Sequence, residues 1–321
     1  MRRRELLRGA AAAVLGSGTL PLLRAGSAET AKRRLLYFSR SVGYEHSVVQ
    51  RRRGEPAHSE RVLAELGRRA GFEVVCTKDG SIFEGSLEAF DAFVFFTCGD
   101  QTKPSLDHTP PMTPHGKQRL LEAIAAGKGF VGFHSAADTF HSNPRAGATA
   151  AQKDPYVAML GGEFVGHGQQ QEAALIIASR FPGVGNLGCA EGLSFTDEWY
   201  ALANFAPDLH VILVQETAYL KGDCYRRPNY PCTWARMHGK GRVFYTSLGH
   251  REDVWTNPFF QTIALGGLRW AAGMVEAEVA PNLQRVTPRA DQLARVALFS
   301  AAWESTCNSL TVRGGKGADA G

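Results

Sequence analysis

Four of the ten histidines in this 321-residue chain stand beside apolar runs that read as strands. His134 ends the stretch Gly129-Phe-Val-Gly-Phe-His134 and is followed by Ser135-Ala-Ala-Asp138. His46 follows an earlier run in Gly43-Tyr-Glu-His46-Ser47, and His250 closes Arg242-Val-Phe-Tyr-Thr-Ser-Leu-Gly-His250. His167 lies in the glycine-rich segment Gly161-Gly-Glu-Phe-Val-Gly-His167-Gly168. Neutral imidazoles converging from separate loops can bind a divalent metal such as zinc or manganese, or serve as acid and base. These four are therefore candidate metal ligands. No local ligand spacing such as H-E-x-x-H supports them, so the fold must bring them together. Taken singly, each reads equally well as a hydrogen-bonded structural histidine.

Carboxylates lie close by. Asp100 follows the run Phe93-Val-Phe-Phe-Thr-Cys-Gly, Asp138 follows the His134 turn, and Asp197-Glu198 occurs in Phe195-Thr-Asp-Glu-Trp-Tyr200. Such groups can orient a histidine, ligate a metal or accept a proton. The plainer readings are a helix N-cap for Asp138 and a solvated turn for Asp197 and Glu198. His134, Glu198, Asp100 and Ser135 are the candidate catalytic residues. Ser135 enters because a strand-to-helix turn has the outline of a nucleophile elbow. Against a serine hydrolase, Gly132-Phe-His-Ser-Ala136 lacks the G-x-S-x-G pattern and no triad order completes it. Gly161-Gly162 and Gly239-Lys-Gly241 make no phosphate loop, so no nucleotide cofactor is expected. Trp199, Tyr200, Trp234 and Trp255 suit either the apolar faces of a sugar or the core.

The elements that must position these residues alternate in type. Arg34–Ser39, Phe72–Thr77, Asp91–Thr97 and Phe130–Phe133 read as strands, the third continuous in apolar residues like a strand buried on both faces. Helical spacing fills Ser59–Ala70, stopped by Gly71. A second helix runs from Thr113-Pro114 through Ala126, stopped by Gly127. This order predicts an α/β fold: a flavodoxin-like, doubly wound, mainly parallel sheet with helices on both faces and strand one central. Ligands of such sheets sit beyond the carboxyl ends of the strands, where the histidines fall. Further along, Asp154–Leu160 reads as helix, and Ala173–Ala178 and Leu209–Val214 as strands. Thr233–His238 and Arg242–Thr246 form a hairpin, and Asn257-Pro258 opens a final helix through Ala272. A helix over Asp291–Trp303 and a disordered tail over 305–321 complete the reading.

The formal charge of +5 is unevenly placed. Residues 1–28 hold Arg2, Arg3, Arg4, Arg8 and Arg24 against Glu5, which leaves 31 basic and 30 acidic residues elsewhere. The basic balance thus gives no argument for nucleic acid. Residues 1–28 read as a twin-arginine signal peptide: Arg3-Arg4-Glu-Leu-Leu-Arg8, an apolar stretch from Gly9 to Leu23, and small residues at Gly26-Ser-Ala28. The stretch is short for a membrane span, so a periplasmic protein without stable membrane insertion is expected. No C-x-x-C occurs among the six cysteines. Cys76 and Cys98 read as core thiols, and an oxidising periplasm would permit a Cys224–Cys232 disulfide.

Together, Gly132-Phe-His-Ser-Ala136, Leu160-Gly-Gly-Glu-Phe164 with His167, Asp197-Glu-Trp-Tyr200 and Trp234 through His250 resemble the ThuA-like trehalose-utilisation family. The likeness covers residues 33–275, leaving 282–321 as a C-terminal extension. The resemblance implies a fold related to class I glutamine amidotransferases, with His134 at the position of their cysteine, hence no glutaminase. It also implies disaccharide breakdown alongside oxidoreductases that make 3-keto sugars. The expected function is a periplasmic, metal-assisted enzyme acting on a keto-glycoside or related sugar by elimination, hydrolysis or isomerisation. The alternative is a non-catalytic carbohydrate-binding protein with the same pocket. The partner is a small sugar, with a homo-oligomer also open.

Overall fold

The computed structural model describes residues 32–105, 107–185 and 192–293. The expected signal segment, the end of the helix expected from Asp291, the tail, Cys189 and Cys307 lie outside the described residues.

The longer helices begin or end where the sequence supplies a device for it. Helix α1 (His58–Ala70) stops at Gly71, whose φ of 84° is left-handed. Helix α2 (Pro114–Ala126) opens on Thr113, whose Oγ1 accepts the Gly116 N–H at 2.9 Å. Helix α3 (Pro155–Leu160) and helix α5 (Pro258–Ala271) also start on proline, capped by Asp154 and Asn257. The short α4 (Glu252–Thr256) precedes α5, and α6 (Leu283–Val286) follows it.

Strands β1 (Arg33–Phe38), β2 (Phe72–Thr77), β3 (Ala92–Phe95) and β4 (Gly129–Phe133) are mutually parallel in the order β2-β1-β3-β4. Strand β11 (Gly241–Thr246) adds a fifth parallel strand beside β4. That 2-1-3-4-5 arrangement is flavodoxin-like. Antiparallel strands β10 (Tyr230–His238), β9 (His210–Gln215), β6 (Gln171–Ile177) and β7 (Gly192–Asp197) then extend the sheet to nine. Because all four are added on one side, strand one is second from an edge instead of central. Strands β5 (Glu163–His167) and β8 (Tyr200–Ala203) form a separate antiparallel pair that the sequence reading lacked.

Alternation along the strands separates two cores. Leu35 and Tyr37 pack with Leu63 and Leu66 of α1 and Phe260 and Ile263 of α5. Leu36 and Phe38 pack with Leu120 and Ile124 of α2 and Tyr156 of α3. Helices therefore cover both faces. Trp199, Trp234 and Trp255 are fully buried, so they serve the core and offer no surface to a sugar. Cys224 and Cys232 are free thiols, the latter buried on β10 against the Leu213 carbonyl. No helix among the described residues is long and apolar enough to cross a membrane.

Candidate metal centre

The loops after β1, β3 and β4 are stitched together beyond the sheet. Parallel bridges join Ser41 to Cys98 and Gly99 to Thr139. Gly99, at φ 77°, fits here because a Cβ would fall 2.3 Å from the Val42 carbonyl oxygen. At the end of β4 the chain turns so sharply that His134 adopts φ 41°. A non-glycine residue there stores strain, which clusters at functional sites. The elbow outline expected at Gly132–Ala136 is thus real, with His134 at its apex.

His46, His134 and His250 meet above this edge. Their ring centroids are 5.0 Å (His46–His134), 5.1 Å (His46–His250) and 5.2 Å (His134–His250) apart, with the planes close to perpendicular. Glu198 joins them from the β7–β8 connection. Its Oε2 lies 3.1 Å from His250 Nδ1 and 3.4 Å from His134 Nε2, and the two nitrogens are 3.3 Å apart. Metal bonds of roughly 2.0–2.2 Å place tetrahedral ligand atoms about 3.3–3.6 Å apart, so these separations fit a shared ion. One ligand atom from each of the four residues lies within 4.8 Å of all the others. These residues could hold a metal ion.

The hydrogen bonds around the group support that reading. His134 Nδ1 donates to the Ser247 carbonyl at 2.7 Å, which leaves Nε2 with its lone pair toward Glu198. Asp197, fully buried, accepts the N–H of Gly249 at 2.8 Å and of Glu198 at 3.0 Å. It thereby ties the His250 loop to the Glu198 turn. His46 makes no side-chain hydrogen bond among the described residues, and its buried Nδ1 has no partner. An orphaned buried nitrogen costs about 1–3 kcal/mol, a penalty that a coordinated cation relieves.

Electrostatics point the same way. Burial, then the neighbouring His134 and His250, push His46 well below the ordinary histidine value, so its ring is a neutral donor. Burial would raise Glu198, but the His134 and His250 rings that face it more than reverse this and hold it below the ordinary carboxylate range. Burial raises Asp197 despite its two backbone donors.

Two members of the group, His46 and Glu198, open onto a cleft of about 730 Å³ lined also by Tyr44, Asp100, Phe164, His167 and Tyr200, while His134 is fully buried. His167 is the outlying member of the expected ligand set. Its Nδ1 is 3.4 Å from Glu198 Oε1 on the side away from the other histidines' shared oxygen, and donates to the Gly168 carbonyl at 2.9 Å. Asp100 lines the cleft but turns Oδ1 back onto the Thr102 N–H and hydroxyl. Ser135 is buried, and its hydroxyl has no partner among the described residues. Asp197 and Glu198 form no solvated turn, and Asp138 closes a 3-10 turn (His134–Asp138) instead of capping a helix. Tyr44, Arg145 and His141 also line the cleft and were not singled out from the sequence. Only the Asp138-x-x-His141 spacing could have hinted at the last.

A flavodoxin-like sheet with a histidine–glutamate group beyond its parallel strands defines the class of this protein. The trehalose-utilisation (ThuA) family model matches residues 34–271, and the chain belongs to that family. Its fold is shared with a ThuA-like protein from Bacteroides uniformis at 17% identity and a TM-score of 0.55, covering 77% of this chain and 94% of the other. A ThuA-like protein from Parabacteroides merdae is similar at 18% identity and a TM-score of 0.52, covering 77% and 93%. No curated protein sequence matches the chain.

Proposed function

We propose that this chain is a carbohydrate-processing enzyme, exported by the twin-arginine route to the periplasm, acting on a keto-glycoside or related sugar. A divalent ion, zinc or manganese, would be held by His46, His134, Glu198 and His250. The observation that carries this reading is the meeting of three near-perpendicular imidazoles and one carboxylate, of which His46 and Glu198 line an open cleft. The family description, trehalose utilisation, supports a sugar as substrate.

When bound, the ion would supply Lewis acidity to a sugar carbonyl oxygen. His167 is the free histidine of the cleft. With its Nδ1 proton on the Gly168 carbonyl, Nε2 is the basic nitrogen. In an elimination, His167 takes the proton from C2 of a 3-keto glycoside, which that carbonyl acidifies. The electron pair forms the C1–C2 double bond, and the C1–O bond breaks with its pair on the departing oxygen, which takes a proton from water. Phe164 and Tyr200, stacked near His134 and His167, wall the cleft on its apolar side.

The test is metal content together with turnover of a 3-keto disaccharide, before and after chelation. We expect about one ion per chain, with turnover lost on removal and restored by zinc or manganese. Metal-replete protein that binds sugar without turning it over would favour the carbohydrate-binding alternative.

A further inference from the structure

A second charged cluster lines the same cleft and takes no part in the histidine–glutamate group. His141 Nε2 lies 2.9 Å from Asp138 Oδ1, and Arg145 Nη1 lies 3.6 Å from the same oxygen. Asp138 Oδ2 accepts from the Cys98 thiol at 3.1 Å. Behind this pair sits Glu163 of β5, fully buried, with Oε2 3.5 Å from His141 Nδ1. Glu163 also accepts the Ser142 N–H at 3.0 Å and the Asn204 amide at 2.5 Å. Asn204 stands at φ 57°, a conformation asparagine tolerates, and its side chain further binds the Arg145 carbonyl and the Ala148 N–H. The loop is therefore braced from inside.

Charge balance tells what this braced loop can recognise. A buried carboxylate needs a cation, and among the described residues His141 is the ion-pair contact of Glu163. A protonated His141 supplies it. Burial opposes that charge, but the contacts to Asp138 and Glu163 outweigh it and raise the imidazole above its ordinary value. The two carboxylates then match His141 and Arg145. Arg145 is partly exposed and its guanidinium makes no hydrogen bond among the described residues, so it is no structural tether. A carboxylate acceptor next to free guanidinium donors suits adjacent hydroxyls, which both donate and accept. An anionic ligand fits poorly, because the cations are already neutralised and Asp100 and Glu198 add negative charge to the cleft.

We propose that Asp138 and Arg145 form a binding subsite for a neutral polyhydroxyl group, namely a sugar unit remote from the reacting carbon, with His141 and Glu163 as positioning residues. The inference rests on the sugar reading of the cleft, and its test needs no turnover. Metal-replete protein is titrated calorimetrically with trehalose and, separately, with glucose and glucose 6-phosphate. Arg145→Ala and Asp138→Asn should each weaken trehalose binding about tenfold or more, the scale of a lost charged hydrogen bond. Arg145→Lys should recover part of the loss. Metal content should be unchanged in all three, and the melting temperature should stay within about 2 °C. Glucose 6-phosphate should bind no more tightly than glucose. The proposal is overturned if trehalose does not bind, if both variants bind it like the parent, or if the phosphorylated sugar binds more tightly. Trehalose binding that depends on Arg145 in a protein without turnover would keep the subsite and remove the enzyme reading. Metal-dependent turnover with indifferent variants would do the reverse.

Discussion

His134 and Ser247 lie 113 residues apart, yet the 2.7 Å hydrogen bond from the His134 ring to the Ser247 carbonyl decides what the site can be. A carbonyl can only accept, so Nδ1 carries the proton and Nε2 is left as a donor of electrons toward Glu198. The bond runs from the end of β4 to the residue after β11, two adjacent parallel strands, so the sheet itself sets the ring's tautomer.

From this follows the first prediction. Replacing His46, His134 or His250 singly by Ala should lower metal affinity and turnover together, by about tenfold or more, since a lost ligand outweighs a lost supporting contact. Metal analysis, melting temperature and turnover are measured on each variant. Lower melting temperatures with metal content and turnover unchanged would make the three rings structural.

The second prediction concerns Gln170. Its Nε2 lies 3.0 Å from His250 Nε2 while its Oε1 accepts from Arg251 at 2.8 Å, which fixes the amide's orientation. An amide NH₂ only donates, so His250 Nε2 accepts and the ring's proton sits on Nδ1, facing Glu198. A ligating Nδ1 must shed that proton to Nε2, where the glutamine as placed cannot receive it. Gln170→Glu supplies the acceptor and should tighten zinc binding roughly tenfold, as carboxylates behind ligating histidines do. Equal zinc affinity in parent and variant, by competition with a chromogenic chelator, would refute the idea.

Legibility in the sequence followed the range of the interactions. Strands β3 and β4, and β1 from Leu35 on, announce themselves because burial on both faces leaves only apolar residues, as in Phe93-Val-Phe-Phe96. Their order then places His46 and His134 at one edge. Glu198 was within reach only as an acid near the right motifs. That it faces His250 depends on Asp197, which anchors both the Glu198 turn and Gly249. The β5–β8 pair stayed hidden because its strands are short, β5 is interrupted by Gly166, and the two pair across an irregular register. His141 was illegible for the same reason. Its local segment, Phe140-His-Ser-Asn-Pro144, reads as loop, and its partner Glu163 lies on that hidden strand.

Export makes the third prediction. The paired guanidiniums of Arg3 and Arg4 are what a twin-arginine translocon would read, and lysine lacks their planar fork. Replacing both by Lys should leave the precursor in the cytoplasm, as fractionation and immunoblotting would show. Undiminished periplasmic delivery would exclude this route.

The fourth prediction is a pH dependence of stability set by His141 and Glu163. Burial works against the His141 charge, yet its contacts with Asp138 and Glu163 raise it above the ordinary value of 6.5. A folded value above the unfolded one contributes stability that is full below about 6.5 and is lost as pH rises through the raised value. Glu163 behaves oppositely. Burial would raise it, but the contact with His141 and the hydrogen bonds from Ser142 and Asn204 bring it below the ordinary 4.5. Its contribution is full above that value and lost as pH falls through the lowered one. The pair therefore contributes most between about 4.5 and 6.5. His141→Gln keeps hydrogen bonding but removes the charge, leaving Glu163 buried without its cation. The variant should be less stable than the parent by about 1–3 kcal/mol near pH 6, with the gap narrowing as pH rises past the parent's His141 titration. Chemical denaturation of both proteins from pH 5 to 9, at fixed metal saturation, reads the gap directly. A difference that is constant with pH would mean that folding does not shift the His141 titration, and Glu163 would then need another source of compensation.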